Sequence, residues 1–141
     1  MPIVALHHYF VRSRDLARSR HFYCDVLGFD EMKRPEFSYP GYWLGTGGQV
    51  QIHMGKFDTP DALPAGAPPQ STGAVDHVAF TASDPEAFSR RLRAEGLATR
   101  EQHREDTGML QIFVADPDGV KIELNFPGVA TRPAWMTPLS A

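Results

Sequence analysis

Two stretches of this 141-residue chain carry the same arrangement of residues, and an internal repeat limits the possible folds more tightly than composition does. His8 stands seven residues before Asp15, which reads as the cap of a helix that Gly28 ends; His77 stands seven before Asp84, and Asp84-Pro85 opens a helix that Gly96 ends. A strand-like run precedes each helix, over 3–11 and 74–82, rich in β-branched and aromatic residues. Three short strands should follow each: 29–36, 42–45 and 49–54 in the first half, 97–103, 109–115 and 120–126 in the second. Turn residues such as Pro40-Gly41 and Thr46-Gly47-Gly48 separate them. Each half therefore reads βαβββ. Residues 55–73, with Pro60, Pro64, Pro68 and Pro69, read as a linker. The tail 127–141 has no periodicity and is expected to lie on the surface or on a partner subunit. The expectation is one α+β domain of two modules, 3–54 and 74–126.

Composition narrows the partners. A chain of this length with 42% hydrophobic residues can bury one ordinary core. A formal charge of −3, and no run of Lys or Arg, speak against nucleic acid or an anionic membrane surface and for a small-molecule partner. Cys24 is a lone cysteine and cannot form an intrachain disulfide, the N-terminus lacks the charged and apolar regions of a signal peptide, and no apolar run approaches a membrane span. A soluble, reducing, cytoplasmic setting is the expectation.

The turn Asp116-Pro117-Asp118-Gly119 feeds a strand in which Val120, Ile122, Leu124 and Phe126 share one face while Lys121, Glu123 and Asn125 share the other. Such a strand is often merely half exposed. The repeat changes that reading, because Ile52-His53-Met54 closes the first half as Ile122-Glu123-Leu124 closes the second, and His53 follows His8 by 45 residues as Glu123 follows His77 by 46. A single histidine is more often a core or surface residue than a ligand. Four metal-ligating side chains at repeat-related positions, His8, His53, His77 and Glu123, are more simply read as one metal site, and imidazole with carboxylate suits Zn, Fe(II), Mn, Co or Ni. His7 falls on the opposite strand face from His8, and His21 lies among Arg18 and Arg20; both are expected in solvent. His103 opens the stretch leading to Glu123 and stays open. Cys24, with no base or cation placed to make a thiolate, reads as packing.

With these motifs in hand, the chain resembles the vicinal oxygen chelate superfamily, which includes glyoxalase I, fosfomycin-resistance proteins, methylmalonyl-CoA epimerase, extradiol dioxygenases and bleomycin-resistance binders. The resemblance rests on His8 through Asp15 to Phe22-Tyr23, Val26-Leu27-Gly28-Phe29, Asp76-His77-Val78-Ala79-Phe80 and Asp116-Pro117-Asp118-Gly119 leading to Ile122-Glu123-Leu124, and it spans nearly all of 3–126. It implies paired βαβββ modules whose mixed sheets curl into a partly closed cup around a divalent metal, often assembled across a homodimer.

The resemblance implies three activities. For a glyoxalase-type lyase or isomerase, Glu123 would be both ligand and proton carrier, and Arg12 matches an Arg that holds a glutathione carboxylate. Against glutathione, His53 replaces the usual Glu, Phe57 stands where an Asn is expected, and Glu105-Asp106 occupy the place of a Lys. For an extradiol dioxygenase, His8, His77 and Glu123 would form the iron triad and His53 an unbound acid/base, with Phe113 where a Tyr is expected. The third activity is drug binding without chemistry, and binding members of the superfamily typically lack the ligand set kept here. Trp43, Phe57 and Phe113 fall at strand ends that would line an apolar pocket.

Overall fold

A computed structural model of the chain describes residues 2–56 and 72–136. The linker reading falls almost wholly outside these residues. The chain divides into two compact units, Met1–Pro69 and Gln70–Ala141, and each has the same construction.

In the first unit, β1 (Tyr9–Arg12) leads to α1 (Leu16–Arg20), then to β2 (Asp30–Met32), β3 (Gly41–Thr46) and β4 (Gln49–Gly55). Asp15 caps the helix by accepting from the Arg18 backbone N–H at 3.1 Å. Beyond Arg20 the helix widens into a π-helical turn over His21–Val26, closed by the Leu27 N–H on the Phe22 carbonyl at 2.9 Å. Gly28, at φ +90, then releases the chain into the sheet. The buried side of this helix, Ser19, Phe22, Tyr23 and Val26, meets a core that includes Val11, Leu44, Ile52 and Met54.

The second unit runs β5 (Val78–Thr81), α2 (Pro85–Ala94), β6 (Thr99–Arg104), β7 (Met109–Ala115) and β8 (Lys121–Phe126). Asp84 caps α2 through a 3.3 Å bond from the Ala87 N–H and takes a left-handed φ of 60, which the short polar side chain tolerates. Phe88 of α2 lies 5.6 Å from Phe126 of β8, so the helix packs on its sheet through these rings. Leu92, Leu110, Ile112, Ile122 and Leu124 are buried with them.

The two sheets are wired alike. Their orders are β1-β4-β3-β2 and β5-β8-β7-β6, with the first pair in each parallel and the others antiparallel. Registers also match: Tyr9 faces Ile52 and Phe10 faces His53, as Val78 faces Ile122 and Ala79 faces Glu123. The expected α+β architecture of two βαβββ modules is therefore the observed one.

Every strand but β7 differs from its expected limits; β3, β4 and β8 do so by a single residue at one or both ends, and four others differ more. The strand expected over 3–11 is formed only from Tyr9 to Arg12, and the one over 74–82 only from Val78 to Thr81, so His8 and His77 sit one residue ahead of their strands. Among the described residues neither lead-in has a strand paired to it: β4 meets β1 only from Ile52 to Gly55, and Ile3, Val4 and Leu6 are more than four-fifths exposed. The strand expected over 29–36 stops at Met32, ahead of Pro35, which has no N–H to extend a ladder. The strand expected from 97 begins at Thr99. The described part of the tail is held to the second unit, since Val129 donates to the Gly108 carbonyl at 2.8 Å and Met136 is buried.

Candidate metal centre

Alternation along β4 and β8 sorts the candidate ligands from the core. Ile52 and Met54 are fully buried while His53 between them is partly open, and Ile122 and Leu124 flank Glu123 in the same way. Each unit thus presents one candidate ligand of its last strand beside the histidine that precedes its first.

In the first unit His8 stacks on His53, with ring centroids 3.7 Å apart and planes within 14°, and His53 stacks in turn on Trp43 at 4.3 Å and 9°. Trp43 stands directly opposite His53 in the β3–β4 ladder. Phe37 and Tyr39 continue the aromatic surface, stacked at 5.7 Å, with the Arg34 guanidinium over both rings. Nε2 of His53 is buried and has no hydrogen-bond partner among the described residues. An imidazole nitrogen left bare in this way costs stability unless something takes it, and a metal ion is a group that can. Burial first, then the neighbouring charges of His8, His7 and Arg34, pull the His53 pKa below the ordinary imidazole value, favouring the neutral form that ligates. His7, expected to stand apart, lies with Nδ1 2.8 Å from Nδ1 of His8; with no neighbouring strand to impose alternation there, the two rings are free to meet.

In the second unit His77 Nε2 lies 3.8 Å from Glu123 Oε1, and the Glu123 side chain is only 12% exposed. His77 Nδ1 is 2.7 Å from Asp76 Oδ1, the carboxylate-histidine pairing that fixes a ring and leaves the other nitrogen facing a ligand. Asp76 in turn accepts from Lys121 at 3.2 Å, and its carboxyl is held below its usual value by His77 first and Lys121 second. Glu123 accepts from Gln111 Nε2 at 3.3 Å and from Asn125 Nδ2 at 3.1 Å. Phe113 stands opposite Glu123 in the ladder and meets His77 edge-on at 6.3 Å. Sequence reasoning missed Asp76, Gln111 and Asn125; the Asp beside His77 and the polar side of β7 were the signals available.

The predicted residues therefore come together as His8, His53 and Trp43 in one unit and as His77, Glu123 and Phe113 in the other. Within neither unit, among the described residues, do three or more His, Cys, Asp or Glu side chains form a group that could hold a metal. Arg12 is exposed, on the same face of β1 as Phe10. Phe57 lies outside the described residues. His103 is engaged elsewhere, its Nε2 2.7 Å from the Val129 carbonyl. His21 pairs with Asp25 at 3.0 Å on the exposed side of its helix. Burial raises the thiol pKa of half-buried Cys24, which opposes thiolate chemistry there.

Residues 5–124 match the family model described as the Glyoxalase/Bleomycin resistance protein/Dioxygenase superfamily. Among curated proteins the chain is 30% identical over 127 residues to Glyoxylase I 4 of Arabidopsis thaliana, covering 88% of this chain and 71% of that one. It is 32% identical over 124 residues to the uncharacterized protein YaeR of Escherichia coli, covering 84% and 93%. Among solved structures it is similar to TnmS3, an antibiotic binding protein from Streptomyces sp. CB03234, with a TM-score of 0.64 at 22% identity over 91% of this chain and 99% of that one.

Proposed function

Because the chain belongs to the glyoxalase/bleomycin resistance protein/dioxygenase superfamily, we propose that it is a divalent-metal-dependent enzyme of glyoxalase type, a lyase or isomerase acting on a small substrate with two neighbouring oxygens. The observation that carries this is Glu123: a nearly buried carboxylate, oriented through both oxygens and set 3.8 Å from a histidine that is itself backed by Asp76. His8, His53, His77 and Glu123 are the proposed ligands, and the bare Nε2 of His53 suits that role. When bound, such an ion would serve as a Lewis acid toward both substrate oxygens.

The remaining chemistry belongs to the chain's own groups. Glu123 takes the proton from the carbon beside the substrate carbonyl and returns it to the neighbouring carbon, a task that asks for a carboxylate held still and screened from bulk water. Trp43 and Phe113, each opposite a proposed ligand in its ladder, supply apolar walls that orient the substrate. Arg12 supplies a cation for an anionic group, and Phe57 completes the proposed lining. The working unit is one domain, 1–141, acting as a homodimer, and the lone Cys24 fits a reducing cytoplasm.

A second reading, a ring-cleaving dioxygenase with His53 as an unbound acid/base, draws on the flat stacking of His53 against Trp43, a surface that suits a planar ring. Anaerobic reconstitution with Fe(II), Ni, Mn and Zn in turn, assayed against the methylglyoxal-glutathione adduct, other 2-oxoaldehyde adducts and catechols, separates the two. Turnover of an oxoaldehyde adduct with any of the four supports the first reading. Oxygen-dependent turnover of a catechol with Fe(II) alone supports the second. A protein that retains no stoichiometric metal, yet binds aromatic compounds, overturns both in favour of simple binding.

A further inference from the structure

The side chains around Glu123 form a closed circuit. Gln111 Nε2 donates to Glu123 Oε1 at 3.3 Å and to Asn125 Oδ1 at 3.0 Å, and Asn125 Nδ2 donates to Glu123 Oε2 at 3.1 Å. Gln102 Nε2 donates to Gln111 Oε1 at 3.3 Å, which fixes the sense of the Gln111 amide. The donors follow one direction, from β6 through β7 to β8, and end on the carboxylate. Each Glu123 oxygen then has one lone-pair direction taken by an amide and one left over.

The first unit supplies an internal comparison. Gln111 faces Asn125 in the β7–β8 ladder just as Gly41 faces Gly55 in the β3–β4 ladder, and both pairs lie two residues from the ladder pair that includes the proposed ligand. Where the second unit carries two amides the first carries no side chain. A Cβ on Gly41 would stand 2.0 Å from the Met54 carbonyl, and one on Gly55 would stand 2.6 Å from the Tyr39 ring. The difference follows the chemistry of the two ligands. His53 is a rigid plane that stacking between His8 and Trp43 orients. A glutamate has a soft terminal torsion, and stacking cannot fix it.

We infer that Gln111 and Asn125 are positioning residues that lock the Glu123 carboxylate for metal coordination and proton transfer, with Gln102 fixing the orientation of Gln111. This rests on the proposed metal role of Glu123. Without the amides the carboxylate rotates, and the ion loses a preorganised ligand. Both amides are assigned to act through Glu123, which accepts from each of them.

Titration of the full-length protein with Co(II) alone, followed in the visible spectrum, tests this, because the d–d bands report ligand geometry and the midpoint reports affinity. Gln111→Met and Asn125→Ala are each expected to weaken Co(II) binding on the order of 10- to 100-fold, as for partners of metal ligands elsewhere, and to change the bands. Gln102→Met, which removes no bond to Glu123 itself, should weaken it less while shifting the bands in the same direction. It also serves as the folded variant if the other two unfold. Thermal midpoints of the metal-free variants should stay within a few degrees of the parent. Unchanged affinity and bands in the folded variants, beside a parent that binds Co(II) stoichiometrically, overturn the positioning role alone. A parent that binds no Co(II) overturns that role together with the metal reading.

Discussion

At the scale of single residues, His53 is the most constrained of the proposed ligands. Its ring is held flat between His8 and Trp43, and the depressed pKa means the fold favours its neutral form. An unfolded chain, with its imidazole near the ordinary value of about 6.5, binds more protons than the folded one just below that pH. This contribution to stability is therefore present above about 6.5 and is lost as the pH falls through the window beneath it. An NMR titration of the metal-free protein should place the His53 midpoint below about 6.5; a midpoint at or above that value contradicts the expectation. His53→Ala should lower metal affinity by more than about 10-fold, since losing even an outer-shell partner of a ligand costs that much. Unchanged metal content with collapsed turnover would instead make His53 an acid/base that stands off the ion. The ligand candidates were legible in the sequence because the repeat marked them in pairs. The amides of Gln111 and Asn125 were not, since a Gln and an Asn on the polar side of a strand carry no signal until the neighbouring strand shows what lies beside them.

Among the elements, the β7–β8 hairpin has the most explicit device. Asp116 is 3% exposed, and its Oδ1 accepts from the backbone N–H of Asp118 at 2.9 Å and of Val120 at 2.8 Å, while the Asp116 N–H reaches the Val120 carbonyl. Gly119, at φ +94, closes the turn. Asp116→Ala leaves two part-buried donors without that oxygen and should cost up to about 1–3 kcal/mol for each that water does not reach, whereas Asp116→Asn keeps the accepting oxygen and should cost much less. Denaturant titration of the two variants checks this, and equal losses would show that the side-chain oxygen is not what holds the hairpin. The same hairpin shows what sequence reading captures. Its turn chemistry and alternation lay within a dozen residues and gave β7 to the residue. The leading strands came out too long because β-branched Ile3 and Val4 favour extended chain, but a strand also needs a neighbour, and pairing with β4 and β8 begins only at Tyr9 and Val78. The His7–His8 pair departs from the expectation in a different way. His7 meets His8 through their side chains, a contact that strand alternation excludes only where a strand exists.

For the molecule as a whole, each sheet has its first and second strands in chain order at its edges, with no further strand paired to them among the described residues, and the lead-in to β1 leaves Ile3, Val4 and Leu6 exposed. Edges and apolar segments of this kind are covered in stable proteins, and a second copy is a common cover. Sedimentation at micromolar concentration should therefore give twice the 15.7 kDa chain mass, and Val4→Asp with Leu6→Asp should shift it toward the monomer. A monomer in the parent protein would count against this. The alternation that puts Ile52, Met54, Ile122 and Leu124 on one side and His53 and Glu123 on the other also bears on how such a chain can change over generations. Substitutions on the side that carries the proposed ligands leave the packed side intact, so a lineage can lose, swap or regain such a residue in one half without first unfolding. Duplication doubles that freedom, since each half retains its own core while the other drifts toward a new substrate.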